Sequence, residues 1–457
     1  MTLARYRPHL ATMLALTLPL TGSHLARMAI GVTDTVMIGW YGVDELAAVV
    51  LATSFFFVLF MLGSGFGIGV MGLLATAVAR GDETEVRRAT RMALWLSALY
   101  AALILPVLWF SGAIMLAMGQ KPEIAAHVQD YLRIMCFAMA PALWGLTLNS
   151  FLAALGRPNI VMLVVVAGIP LNIVLNWMLI FGHFGAPELG VQGAAIASLT
   201  INLAQFVALA VFAVWLPEAR PYQLFRRMWN PDWAALRAIA VLGMPVGLTL
   251  VAETGMFAGT NVLMGWFGAQ ELAAHGIALQ LSSIAFMLHL GLANAVTIRI
   301  GTLHGRNDRE GMRLAGHTAI GVSIFFAAFT IAVFLTASEP LAALYLDAGD
   351  PQTPAIVALV GGLMVYAALF QLADGQQVIA LGMLRGLQDT RRPMVYAVVA
   401  YWLIGLPAAW LLAFPLGVGP GGLWLGLLFG LGCAAVLLMR RFWGGFMRDW
   451  TLPAQTR

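Results

Sequence analysis

Residues 39–48 read Gly-Trp-Tyr-Gly-Val-Asp-Glu-Leu-Ala-Ala, and residues 265–274 read Gly-Trp-Phe-Gly-Ala-Gln-Glu-Leu-Ala-Ala, a near copy 226 positions later in a chain of 457. The same displacement, without a gap, pairs Pro19 with Pro245, Arg80 with Arg306, Asp82 with Asp308 and Arg87 with Arg313. Apolar segments that resemble each other by chance would not keep those polar positions in step, so the chain consists of two homologous halves. Duplicated halves in an apolar chain are how many secondary transporters build two gates around one central site. Transport is therefore the leading expectation.

Hydrophobic residues make up 61% of the chain and charged ones 10%, against roughly half and a quarter in a soluble domain. Spans of about 20 helical residues are needed to cross a bilayer. Twelve are predicted, over 10–36, 46–79, 91–117, 131–155, 159–182, 191–216, 233–265, 271–304, 314–337, 355–386, 393–414 and 421–441. Each half then holds six, and an even number makes the halves parallel, related by an axis along the membrane normal. The expected fold class is an all-α integral membrane protein. Residues 1–217 would form an N-terminal six-helix lobe, 218–232 a cytoplasmic connection and 233–457 a C-terminal six-helix lobe.

Arginines at the termini and in the even-numbered loops, among them Arg5, Arg80, Arg87, Arg157, Arg226, Arg227, Arg306, Arg385 and Arg441, place both termini and the central connection in the cytoplasm, with Lys121 as the main exception. The net charge of +4 thus reports topology and requires no nucleic-acid partner. The first apolar run is long enough to span and lacks a clear cleavage pattern, so it is expected to remain as helix one. Cys136 and Cys433 both fall in predicted spans, which points away from a disulfide framework and from a cysteine metal site. The polar interruption at 217–232 reads as a covalent linker, with an amphipathic surface segment as the alternative.

Asp34, Glu253 and Asp374 are the acidic residues inside or at the margin of long apolar spans. A carboxylate at membrane depth costs at least a few kcal/mol, so it pairs, protonates or binds a cation. One carboxyl site that holds either a proton or a sodium ion is the elementary device of an antiporter. Neutralisation of Glu253 by Arg27, its counterpart at the 226 displacement, is the purely structural alternative. Asp34, in Thr33-Asp34-Thr35, could instead be a helix-terminal group at headgroup level. In Pro170-Leu171-Asn172-Ile173-Val174-Leu175-Asn176 two amides lie one turn apart, able to ligate a cation, to bond a protonated Asp, or to tie helices together.

Tyr366, Phe370 and Asp374 recur every four residues and share one helical face. That suits an organic cation held by cation–π attraction of roughly 0.5–2 kcal/mol per ring, with aromatic packing between helices as the alternative. Arg27, Asn261 and Gln280 are further substrate-cavity candidates. His24, His275 and His289 lack ligand spacing and read as structural. The run Gly63-Ser64-Gly65-Phe66-Gly67-Ile68-Gly69 mimics a nucleotide loop only superficially. Inside an apolar helix it signals close packing or a kink.

The chain resembles the multidrug and toxic compound extrusion transporters, most closely their NorM-like bacterial branch. The resemblance rests on Asp34-Thr35-Val36-Met37-Ile38-Gly39 with Glu45-Leu46-Ala47-Ala48, on Gly156-Arg157-Pro158, on Pro170-Leu171-Asn172 through Asn176-Trp177, and on Glu253 with Arg385-Gly386-Leu387-Gln388-Asp389-Thr390-Arg391-Arg392-Pro393. It implies two six-helix lobes forming a V around a central cavity. It also implies export of bulky, often cationic aromatic compounds in exchange for sodium ions or protons, at the inner membrane of a bacterium. Glu253 and Asp374 would then couple the cation, and hold the metal if sodium drives the cycle, while Asp34, Asn172 and Asn176 form a polar site in the N-terminal lobe. Some relatives carry a tyrosine where this chain has Phe370, so a hydroxyl ligand is missing.

The expected protein is a monomeric exporter with no cofactor beyond the coupling ion. A lipid-linked precursor flippase of the same superfamily is the alternative, disfavoured because its cavity would need several cations where this chain offers mainly Arg27. A membrane enzyme would need a reactive cluster near an interface. No motif for direct ATP use is present.

Overall fold

A computed structural model describes residues 3–226, 228–347 and 349–448; Arg227 lies outside them. The described residues form twelve long helical segments: α1 (Leu3–Tyr41), α2 (Val43–Arg80), α3 (Glu83–Trp109), α4 (Pro122–Ala154), α5 (Pro158–Phe181), α6 (Gly190–Trp215), α7 (Trp233–Gly265), α8 (Ala269–Gly305), α9 (Arg309–Ala343), α10 (Thr353–Gly386), α11 (Arg391–Ala413) and α12 (Pro420–Phe446). From α2 onward all are long and apolar enough to cross a membrane. At 39 residues α1 is long enough as well. The protein is an all-helical multi-pass membrane protein.

The repeat is visible in how helices start and stop. Asp82 Oδ1 accepts the Glu85 amide at 2.9 Å to cap α3, and Asp308 Oδ1 accepts the Gly311 amide at 2.8 Å to cap α9. The residue before each cap is left-handed, Gly81 at φ 71° and Asn307 at φ 56°. Glycine and asparagine are the two residue types that tolerate this conformation best, so the chemistry of the α2–α3 corner recurs 226 residues later.

Two compact units divide the molecule: an N-unit, Gly22–Gly247, and a C-unit formed by Met1–Thr21 with Leu248–Arg457. The boundary therefore cuts α1 and α7 at equivalent points, whereas the sequence suggests a division in the connection at 218–232. Glycine contacts explain the exchange. In the N-unit a Cβ on Gly65 of α2 would lie 2.3 Å from the Gly243 carbonyl and the Gly247 nitrogen of α7. In the C-unit a Cβ on Gly291 of α8, the repeat mate of Gly65, would lie 2.8 Å from the Thr21 nitrogen of α1. The glycine run in α2 is thus a helix-crossing surface, as its setting in an apolar helix predicts.

The connection is folded onto the N-unit. Ala219 and Leu224 are buried, the Trp95 indole donates to the Met228 carbonyl at 2.7 Å, and Tyr222 packs edge-on against Phe151 with ring centroids 5.9 Å apart. It is more than the covalent linker its composition suggests. In α11, Val399–Gly405 is π-helical, and the Leu406 amide donates back to the Tyr401 carbonyl. Pro407 has no N–H for the carbonyl one turn earlier, which favours the wider turn just before it.

Candidate functional site: two carboxylate clusters

In the N-unit, Asp34 lies inside α1, seven residues before its end, so it is not a helix-terminal group. Its Oδ1 accepts from Asn172 Nδ2 at 2.8 Å and Asn176 Nδ2 at 2.6 Å, both on α5, and its Oδ2 accepts from the Ser198 hydroxyl of α6 at 3.1 Å. One helical turn between the asparagines puts both amides on the same face, aimed at one oxygen. Three donors suit a group that, when ionised, can only accept. Both asparagines are fully buried, and Asn176 Oδ1 has no hydrogen-bond partner among the described residues. Tyr131 of α4, also buried, interacts with Ser198 and with the Asp34 charge. Ser198 and Tyr131 carry no sequence signal, because one polar side chain in an apolar helix is unremarkable until the fold aims it at a carboxylate.

The C-unit brings Glu253 of α7 and Asp374 of α10 into electrostatic contact. Arg385, on the last turn of α10, interacts with Glu253, and Tyr401 of α11 interacts with both carboxylates. Asp374 and Arg385 are 4% and 5% exposed, and Gln377 and Tyr401 are fully buried. Gln377 Nε2 donates to the Tyr401 oxygen at 2.5 Å. Asp374 Oδ1 and Gln377 Oε1 are buried without a hydrogen-bond partner among the described residues. Acceptor oxygens orphaned beside two carboxylates form a place where a proton or a small cation would complete the hydrogen bonding or coordination.

Arg385 is a correction to the sequence reading, which counts it with the loop arginines: it is buried in α10. The rest of its motif is structural, since Asp389 accepts from Arg441 Nε of α12 at 2.9 Å. Arg27 forms no ion pair with Asp34 among the described residues, and it belongs to the N-unit, whereas Glu253 has Arg385 as cationic neighbour in its own unit.

Tyr366, Phe370 and Asp374 do share a face of α10, but Phe370 is 2% exposed and packs against Phe257 and Trp424, with centroids 6.0 and 5.5 Å away. Half-buried Tyr366 covers Gly421 of α12. These rings are core residues of the C-unit. Asn261 is exposed and Gln280 half-buried. His275 stacks edge-on to Trp424 at 5.5 Å, and His289 Nδ1 lies 3.1 Å from the Ser323 hydroxyl, both as packed interior residues.

A sequence model of the MatE family matches residues 19–178 and again 245–411. The chain belongs to the MatE family. The two matches start 226 residues apart, at the repeat-related prolines. A probable multidrug resistance protein NorM of Rhizobium meliloti is 44% identical over 446 residues, covering 98% of this chain and 96% of that one. Another, from Agrobacterium fabrum, is 41% identical over 434 residues, covering 95% and 93%. This MatE protein is therefore NorM-like, a member of a family of transporters and not of enzymes. Its fold matches that of a multidrug resistance MATE transporter of the MOP superfamily in an outward-facing conformation, with a TM-score of 0.87, 20% identity and 97% of each chain covered. A MOP superfamily transporter from Pyrococcus furiosus gives a TM-score of 0.85 at 21% identity, again over 97% of each chain.

Proposed function

We propose that this protein is a secondary-active multidrug exporter of the bacterial inner membrane, working as a monomer and moving organic, often cationic and aromatic compounds outward in exchange for sodium ions or protons. The observation that carries this reading is the buried group Glu253, Asp374, Gln377 and Tyr401 beside a single guanidinium, Arg385. Two carboxylates and one arginine leave one negative charge at membrane depth, and a single monovalent cation balances it. Occupancy by that cation is worth several kcal/mol in such surroundings, enough to bias a conformational equilibrium.

Among the described residues no three or more His, Cys, Asp or Glu are grouped to hold a metal. A sodium ion would therefore draw on the two carboxylates together with the Gln377 amide oxygen and the Tyr401 hydroxyl, which compensates for Phe370. The Asp34 cluster serves as a second, N-unit polar site. The multidrug-resistance names of full-length relatives support the substrate class.

The test is efflux of a fluorescent organic cation from proteoliposomes under a sodium gradient and a proton gradient imposed separately. Acceleration by one of them, lost in Asp374→Asn protein that remains folded, is the expected result. Full efflux by the Asp374→Asn variant removes Asp374 from coupling, and no efflux under either gradient overturns the exporter reading.

A further inference from the structure

Outside both carboxylate clusters, where α3 begins, the N-unit holds a cavity of about 420 Å³ lined by Arg87, Arg88, Arg91 and Arg226 with Asn230 and Asp232. Three of the arginines come from two successive turns of α3, Arg87 and Arg88 side by side and Arg91 one turn on, and the fourth comes from the folded connection. Asp232 is already engaged: it is paired with Arg88 and accepts the Ala235 amide at 3.0 Å at the start of α7. Among the described residues neither Arg87 nor Arg226 is in an ion pair. Arg226 donates to the neutral Gln223 Oε1 at 2.8 Å. Four guanidiniums face Asp232 in the lining, and Glu85 lies 3.8 Å from Arg88 beside it, so the cavity keeps a net positive charge.

We propose that this cavity is a binding site for a phosphate group, supplied by the headgroup of an anionic membrane phospholipid. Planar guanidinium forks match phosphate oxygens in pairs, and basic pockets beside membrane helices take anionic headgroups. Trp229 and Trp233, 83% and 69% exposed, lie within a few residues of Arg226 and Asp232. Exposed tryptophans of this kind settle at headgroup depth, which places the arginines at the level of lipid phosphates. A bound headgroup would tie α3 to the connection through Arg87 and Arg226, adding to the link that Arg88 and Asp232 already make.

Purified full-length protein would be studied by native mass spectrometry, with dioleoylphosphatidylglycerol, dioleoylphosphatidylcholine and inorganic phosphate added separately. Phosphatidylglycerol should be retained in preference to phosphatidylcholine. The variant Arg87→Gln with Arg226→Gln should weaken phosphatidylglycerol by about fivefold for each arginine removed and leave phosphatidylcholine unchanged. The single variant Arg226→Gln, on an exposed turn, should show its own share of that loss in protein whose melting temperature is unaltered. Tight binding of inorganic phosphate without a preference for the anionic lipid supports the phosphate site and reassigns its source to soluble phosphate. Equal retention of the two lipids with no phosphate bound, or undiminished phosphatidylglycerol binding in both variants, overturns the proposal.

Discussion

Tyr401 holds the C-unit cluster together at the level of single atoms: its oxygen accepts from Gln377 at 2.5 Å, and its charge environment includes Glu253, Asp374 and Arg385. Its hydroxyl hydrogen is thus available to a carboxylate, or its lone pair to a cation. Removing that oxygen with Tyr401→Phe keeps the ring that fills the core while deleting one ligand and orphaning the Gln377 amide. A hydrogen bond to a charged group contributes about 1.5–3 kcal/mol, so the concentration of coupling ion giving half-maximal efflux should rise by about tenfold or more. Ion-titrated efflux from proteoliposomes checks this, and an unchanged midpoint would exclude Tyr401 from the ion's environment. The contrast with Asp374 shows which parts of the site were legible. A carboxylate in an apolar helix announces itself by its cost, and two asparagines one turn apart announce a shared face. Tyr401, Gln377, Ser198 and Tyr131 are ordinary in their own helices and become site residues only through contacts between helices distant in sequence. Arg385 misled because its motif lies at a helix end, where an arginine normally reaches water.

Among the elements, α7 shows two kinds of dependence that a hydropathy pattern does not express. Its first third crosses α2 at backbone contact, so Gly65→Ala forces a methyl to within 2.3 Å of the Gly243 carbonyl and the Gly247 nitrogen. No side-chain rotation relieves that clash, and the cost should be about 1–3 kcal/mol, read as a lower melting temperature in detergent. The start of α7 depends on Asp232, whose carboxyl is held down to about 2, first by the Arg88 guanidinium and then by the Ala235 amide. An unfolded aspartate titrates near about 3.9. The depressed folded value means that Asp232 contributes its stability above about pH 4 and loses it as the pH falls through about 2. Asp232→Asn should therefore destabilise the protein at neutral pH, with the difference from the parent vanishing on acidification. An acid-side gap that stays constant would show that the ion pair contributes nothing. Although α3 and α4 begin at Glu83 and Pro122, ahead of the spans predicted from residues 91 and 131, helix number was readable from apolar runs, because a bilayer demands a minimum length. The exchange of helix segments between units was not, since it follows from glycines meeting across 178 or more residues, and no local pattern records a partner.

For the whole molecule, the arithmetic of the repeat constrains topology as strongly as hydropathy does. An even number of six spans per copy predicts that the connection at 218–232 lies on the same side of the membrane as the start of the first copy. The matching corners Gly81-Asp82 and Asn307-Asp308, with Arg80, Arg87, Arg306 and Arg313 around them, share that prediction, and the positive-inside rule predicts a cytoplasmic side for them. The connection is folded and contributes Arg226, Asn230 and Asp232 to an arginine-lined cavity, so on a cytoplasmic side its charge would meet the anionic lipid of that leaflet. Single cysteines placed in a background lacking Cys136 and Cys433 test the assignment. Gln223→Cys should resist a membrane-impermeant maleimide in intact cells and react after the membrane is opened, whereas Met118→Cys, exposed between α3 and α4, should react at once. Labelling of both sites in intact cells would break the parallel relation of the two copies. Labelling of Gln223→Cys alone would keep that relation and invert the orientation predicted from the arginines.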